Sequence, residues 1–222
     1  MTNDSKTTIA RDMTVKDLDG VAEVHKLCFP PSISIFSALG QGILKSYYAL
    51  FVEEPESYAA ILENPHTGQI AGVTFGTRNP GIKQRFLKKH FVGVFFSFIF
   101  GLLTGTATWK ALWSRLHHKN SLSTLGAYDA DAAAAGIPAP NGVEDVCMGI
   151  AIHPEYRGGG NATKLIEHYV TRVFEKGATR IRGAILKNNI ASMTFFKKRG
   201  WTFMDVSDNE VSVWINKPGV VG

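Results

Sequence analysis

The chain is poor in cysteine: of its 222 residues only Cys28 and Cys147 carry a thiol. Two cysteines make no disulfide framework, so stability has to come from apolar burial, for which a 45% hydrophobic content is ample. The opening MTNDSKTTIARD is polar and lacks the apolar core of a secretory leader. A cytoplasmic protein with reduced thiols is expected. Cys147 lies within an apolar run, where a thiol acts as a small buried hydrophobe, and no Cys, His and acid constellation activates it. Metal-ligand spacings are missing as well. His153 has no second ligand at a suitable distance in the chain, and the adjacent His117 and His118 cannot share a helix face. No metal site is expected.

Acidic residues are absent from positions 79 to 119, which carry eight Phe or Trp. The net charge of +5 is therefore localised: between 79 and 142 seven Lys and Arg face only Asp129 and Asp131, a local surplus as large as that of the whole chain. Such a stretch suits an anionic partner surface. No reading helix or base-stacking module is evident, so nucleic acid is not expected.

Apolar periodicity supplies the elements. Thr7 to Arg11 is β-prone. Thr14 opens a helix with Asp17 as its capping partner, and Leu18, Val21, Val24 and Leu27 form its inward stripe. Pro30-Pro31 closes that helix, and a second runs from Ser32–Phe36 to about Phe51. Tyr58–Leu62 and Gln69–Phe75 read as a hairpin around Asn64-Pro65-His66-Thr67-Gly68. Glu144–Ile152 is a strand. Gly159 to Lys176 is a helix with Leu165, Ile166, Tyr169, Val170 and Val173 inward, ended by Gly177. Arg180–Leu186 is a strand and Ile190–Lys198 a helix, and Trp201–Val206 with Val211–Ile215 forms a closing hairpin. A strand-helix-strand crossover makes the central pair parallel.

Two blocks within this order carry chemistry. The apolar strand VCMGIAI ends in HPEY, and Arg157-Gly158-Gly159-Gly160-Asn161-Ala162 then opens a helix. Unpaired N–H groups in a helix's first turn and the positive end of its dipole bind phosphate oxygens when no side chain obstructs the approach. Thirty-two residues after Arg157 comes Asn189-x-x-Ser192-x-x-Phe195-Phe196-x-Lys198-x-Gly200-Trp201, a polar cap, an amphipathic turn and a glycine exit.

The pair of blocks resembles the GNAT acyltransferase superfamily. Arg157, Gly160 and Ala162 match its Arg/Gln-x-x-Gly-x-Gly/Ala signature, and Asn189 and Ser192 its later Asn-x-x-Ala/Ser helix. The resemblance covers about residues 7–78 and 143–216. It implies an α/β fold with a mixed, mostly antiparallel sheet flanked by helices, forming one domain over residues 1–222. Acetyl-CoA is the implied donor, passed directly to an amine without a covalent enzyme intermediate.

The same resemblance implies the site. Gly158, Gly159, Gly160, Asn161 and Ala162 would hold the pyrophosphate with backbone N–H groups, Arg157 would contact phosphate or else only solvate the turn, Ile150 and Ile152 would border the pantetheine arm, and Asn189 would hydrogen-bond near it while capping its own helix. The backbone N–H of Ile150 would polarise the thioester carbonyl. Glu144 is the leading base, on a strand face shared with Val146, Met148, Ile150 and Ile152; a bulge would present Asp145 instead, and water is the third candidate. The position best matching a base in the histone-acetylating branch is Val146. Many members place a Tyr general acid seven residues after the motif Asn. Here that residue is Phe196, which excludes it.

Similar acyltransferases join the third and fourth strands by a short turn, whereas this chain inserts about residues 79–142. Such a length is expected to be structured, and the insertion is read as helical. Phe91–Trp109 is uncharged over nineteen residues, but its glycines and threonines, and flanks that belong to one sheet, argue against a membrane span. Three readings stay open: helices over the acceptor cleft, a homodimer surface, or a patch through residues 82–119 pressed on an anionic membrane, which would make the protein peripheral at the inner face. The CFPPSISIFSALG segment with Tyr47-Tyr48 resembles acyltransferases of amino sugars in polysaccharide pathways. A small amine or amino sugar is the expected acceptor. A non-catalytic CoA-binding module and a protein N-acetyltransferase are the alternatives.

Overall fold

The computed structural model describes residues 7–29, 37, 40–79, 81–89 and 136–220, excepting the side chains of 83, 84 and 87. Their order is β1 (Ile9–Asp12), α1 (Leu18–Cys28), α2 (Gln41–Glu53), β2 (Ser57–Glu63), β3 (Ile70–Thr77), α3 (Ile82–Lys89), β4 (Glu144–Ile152), α4 (Asn161–Glu175), β5 (Arg180–Leu186), α5 (Ile190–Lys197), β6 (Thr202–Asp205) and β7 (Glu210–Asn216). The strands form one seven-stranded sheet, ordered β1-β2-β3-β4-β5-β7-β6. Every neighbouring pair is antiparallel except β4 and β5. The mixed, mostly antiparallel α/β fold expected from the sequence is the one observed.

Two apolar layers sandwich the sheet. On one face α1 and α2 bury Val21, Val24, Leu44, Tyr47, Tyr48 and Phe51 against Ile61, Val73, Phe75 and Ala151. On the other, α4 and α5 bury Leu165, Ile166, Tyr169, Val173 and Phe196 against Ala60, Ile181, Ile185, Val211 and Val213. The inward side of α4 is the expected one, and Gly177 ends it with φ of 94°. The α1 stripe is not. Steps of three residues drift back by about 60° each in a helix of 3.6 residues per turn. The buried side therefore turns from Val21 and Val24 to Ala22 and His25, and Leu27 stays 50% exposed. Asp17 accepts from the Thr14 N–H (2.8 Å) as expected and also receives Arg11 (2.7 and 2.8 Å).

The two ends of the proposed insertion rest on this body. Ile82 and Phe86 of α3 join the α1–α2 layer, with Phe86 5.4 Å from the Tyr47 ring, and the Pro138 carbonyl accepts from Arg180. Residues 30–36 and 90–135, with the uncharged stretch and most of the expected membrane patch, lie outside the described residues.

The first strand also grips α4. Asp12 accepts from Tyr58 Oη (2.7 Å) and Arg172 Nη2 (2.8 Å) and meets His168 Nε2 at 3.0 Å, while Thr8 Oγ1 donates to Asn161 Oδ1 (2.7 Å). Gly76 on β3 is the most crowded of the described glycines: a Cβ there would lie 1.9 Å from Tyr169 Oη, 2.5 Å from the Val146 carbonyl and 2.8 Å from Asp145 Oδ1. A backbone carbonyl cannot give way cheaply. Gly76→Ala is expected to lower stability by about 3 kcal/mol, measured by urea unfolding, the upper end of overpacking costs.

Candidate active site

Parallel pairing between β4 and β5 covers only Glu144↔Arg180, Asp145↔Ile181 and Val146↔Arg182. Beyond that point β4 stays bonded to β3 as far as Ile152, and β5 to β7 as far as Leu186, but not to each other. A wedge opens inside the sheet. Residues 146–150 of this central strand are accordingly only half-buried.

The pairing of β4 with β3 aims its backbone into the wedge. The His153 N–H donates to the Ala71 carbonyl (2.9 Å), so by antiparallel alternation the opposed pairs at Ala151 and Gly149 face β3, and those at Ile150 and Ile152 face away. The Ile152 carbonyl confirms the direction by accepting from Cys28 Sγ and Arg157 Nε, both at 3.2 Å. The Ile150 N–H therefore points into the wedge.

At the wide end of the wedge a single helical turn, Pro154–Tyr156, leads to three consecutive glycines with φ of 87°, 57° and 79°. A Cβ at any of them would meet nothing within 4 Å. The requirement for glycine is thus conformational: three left-handed residues in a row are affordable only without a side chain. Asn161 bonds its N–H to Gly158 and Lys164 to Gly160. The N–H groups of Gly158, Gly159, Gly160, Ala162 and Thr163 find no acceptor among the described residues. Five open donors at the positive end of a fifteen-residue helix fit a pyrophosphate.

The flanking side chains each have partners of their own. Asn161 is buried, its amide donating to the Tyr156 carbonyl (2.9 Å) and its oxygen taking the Thr8 hydroxyl, so its side chain anchors the turn and does not reach a ligand. Arg157 folds back over the strand end onto the Ile152 carbonyl, still exposed. Arg199, which no motif flagged, stacks its guanidinium 3.7 Å from the Phe195 ring centroid, donates to the Phe195 carbonyl (2.8 Å) and to Thr163 Oγ1, and so sets a cation beside the first turn of α4. Asn189 caps α5, accepting from the Ser192 N–H at 3.1 Å. Phe196 is buried against Trp201, so no hydroxyl stands in for the absent Tyr.

The base candidates are the main correction. Register between β3 and β4 shifts between Phe75 and Gly76, leaving Met148 as an extra residue in β4. Parity flips there: Ile150 and Ile152 pack on the α4 layer, whereas Met148 packs on the α1–α2 layer. Glu144 therefore does not share a face with Ile150 and Ile152. Its carboxylate is held by two nearly buried arginines, Arg180 Nε at 2.5 Å and Arg182 Nε at 2.7 Å. Asp145 is on the other face, 2% exposed, accepting from Tyr169 Oη at 2.5 Å under α4. Burial pushes its carboxyl up to about 6, against the pull of the Tyr169 hydroxyl and of Arg78 and Lys176. Cys147 is likewise raised, to about 12, by burial, and is no nucleophile.

The sequence model of the acetyltransferase (GNAT) family matches residues 23–201. The chain belongs to the GNAT acetyltransferase family. It is an acyltransferase that uses acetyl-CoA as donor. The GNAT fold is shared with solved structures of low identity. A mosquito arylalkylamine N-acetyltransferase like 5b is 14% identical with a TM-score of 0.60, over 95% of this chain and 100% of that one. A PaiA N-acetyltransferase from Thermoplasma acidophilum, solved with coenzyme A, is 10% identical with a TM-score of 0.58, over 95% and 99%. The yncA protein of Salmonella typhimurium, solved with acetyl-CoA, is 11% identical with a TM-score of 0.52, over 97% and 96%. Among curated proteins no sequence match is found. Among the described residues no group of three or more His, Cys, Asp or Glu is placed to hold a metal, and no helix is long and apolar enough to cross a membrane.

The raised Asp145 carboxyl has a signed consequence. Its folded value of about 6 lies above the ordinary carboxylate value of 3.8, so its contribution to stability is complete below about pH 4 and is lost as pH rises through 6. Asp145→Asn removes that titration while keeping an acceptor for Tyr169. Between pH 4 and 7.5 the unfolding free energy of the wild type is expected to fall relative to the variant by about 3 kcal/mol, read from urea titrations at each pH.

Proposed function

We propose that this enzyme moves the acetyl group of acetyl-CoA directly to the primary amine of a small molecule, amino sugars among the acceptors, and that residues 1–222 form one catalytic domain with an insertion at about 79–142. The observation that carries it is the alignment of five open N–H donors, at Gly158–Gly160, Ala162 and Thr163, with the Ile150 N–H that faces the wedge. Bound acetyl-CoA supplies the activated acyl carbon. The glycine turn holds the diphosphate by backbone donors, Arg199 adds positive charge beside it, and the exposed edge of Ile150 and Ile152 orients the arm. The Ile150 N–H stabilises the oxyanion as the amine attacks, a contribution on the order of 3 kcal/mol.

Glu144 is assigned an electrostatic role. Its two oxygens are engaged by guanidinium groups, so it fixes the charge pattern on the acceptor side, and the ammonium proton leaves through water. The leaving thiolate is protonated by solvent, since Phe196 offers no acid and a thiol of pKa about 8.5 departs tolerably near neutral pH.

Gly160→Val places a side chain on a left-handed residue facing open space, which leaves the core untouched but crowds the cradle. Calorimetry is expected to show desulfo-CoA binding to the wild type and at least tenfold weaker binding to this variant; equal affinities would overturn the cradle assignment. Thiol release with a panel of primary amines tests turnover, and tight donor binding with no amine-dependent thiol would mark a non-catalytic CoA module. Glu144→Gln is expected to lower kcat by about tenfold or more with donor affinity unchanged. A kcat within twofold of wild type would remove Glu144 from the mechanism.

A further inference from the structure

We propose that the acceptor carries, besides its amine, an anionic group, carboxylate or phosphate, that is seated on Arg180. This rests on the acetyltransferase reading above and names the substrate class. The cavity that carries it lies at the closed end of the wedge, where Arg180 pairs with Glu144, and is read as part of the acceptor site. It measures about 250 Å³ and is lined by Pro138, Asn141, Thr179, Arg180, Trp214 and Asn216, among others.

Arg180 is 5% exposed, and what exposure it has belongs to this cavity. Its Nε is committed to Glu144 and its Nη1 to the Pro138 carbonyl, at 2.5 and 2.6 Å. Nη2 has no acceptor among the described residues and is not sealed off as a buried orphan. The guanidinium is fixed in place by these two bonds and by the Trp214 ring, 5.9 Å from its carbon, so its free edge is preorganised to receive an oxyanion. Thr179 and Asn216 supply neutral polar groups around it.

Among the described residues no acid lines the cavity. The carboxylate bonded to Arg180, Glu144, is already shared with Arg182. Glu210, the other acid on this side of β7, stands six residues from Asn216 at the opposite end of the strand, on the order of 20 Å away. A neutral or cationic ligand would leave the fixed Nη2 donor poorly matched, while an oxyanion completes it.

Geometry sets the separation of the two groups. Arg180 pairs with Glu144, six residues before Ile150 on a strand with one bulge, an interval of roughly 20 Å at most. Allowing for the reach of the arginine side chain, amine and anion lie on the order of 10–15 Å apart. Nucleotide-linked or phosphorylated amino sugars and long ω-amino acids approach that span. α-Amino acids, whose two groups share one carbon, do not.

The test compares matched acceptors by thiol release: UDP-glucosamine and glucosamine 6-phosphate against glucosamine, and 6-aminohexanoate against its amide, the two sets separating phosphate from carboxylate. The wild type is expected to favour the anionic member of at least one set by tenfold or more in kcat/KM, and Arg180→Met to abolish that preference with desulfo-CoA affinity unchanged. Asn216→Asp, which keeps Arg180 but adds a like charge to the cavity wall, is expected to raise KM for the anionic member more than for the neutral one, and so serves if the methionine variant misfolds. Independently of turnover, inorganic phosphate is expected to raise the Tm of the wild type saturated with desulfo-CoA and not that of Asn216→Asp. Equal or better turnover of the neutral members, with no phosphate effect on Tm, would overturn the proposal. Absence of desulfo-CoA binding would instead strike the donor reading, which the calorimetry reports separately.

Discussion

The parting of β4 and β5 after Val146 and Arg182 is the constraint on which the rest depends. A sheet normally closes every gap between neighbours, because unpaired backbone groups inside a protein are costly. Here six residues of a central strand give up that pairing on one side and keep it on the other. The vacated N–H and C=O groups need a partner, and an amide-rich arm of coenzyme A is a chemically fitting one. The glycine turn follows from the same parting, since the chain leaves β4 at its open end and must start a helix there with its donors facing outward.

Two charge environments flank this gap, and they are kept on separate sides of the sheet. Under α4, Asp145 is isolated with the Tyr169 hydroxyl and pays for burial with a raised affinity for its proton. Across the sheet, Glu144 lies between arginines that are 5% and 2% exposed. One extra residue at Met148 separates the two regimes from the donor-binding half of the strand. A bulge of this kind lets one strand present hydrophobic side chains to both layers while its backbone edge remains available to a ligand.

Much of this was legible in the letters. The strand, the glycine run and the capped α5 were each specified by local chemistry: β-branched and apolar alternation, freedom at positive φ, and a polar side chain next to open N–H groups. What escaped was set by contacts distant in the chain. The bulge at Met148 is decided by register against β3, so Glu144 was assigned to the wrong face. The side chain of Asn161 anchors the turn through Thr8, 153 residues away, a contact no local pattern reveals. Arg199 occupies an unspecified position of the second block, and only the packing of α5 on α4 brings it beside the first turn of α4; a cation placed just before the exit Gly200 was the one available signal. Leu27 was misplaced by taking three-residue steps as a full helical face.

The bonds from Thr8 and Asp12 to α4 have a bearing on how the molecule is made. A ribosome delivers β1 first and the helix carrying the cradle some 150 residues later, and the two must meet before either is properly anchored. Contacts of such long range close slowly. A nascent chain would thus hold a completed β1–β3 meander for much of its synthesis, and the glycine turn would gain its anchor only when α4 docks on the waiting first strand.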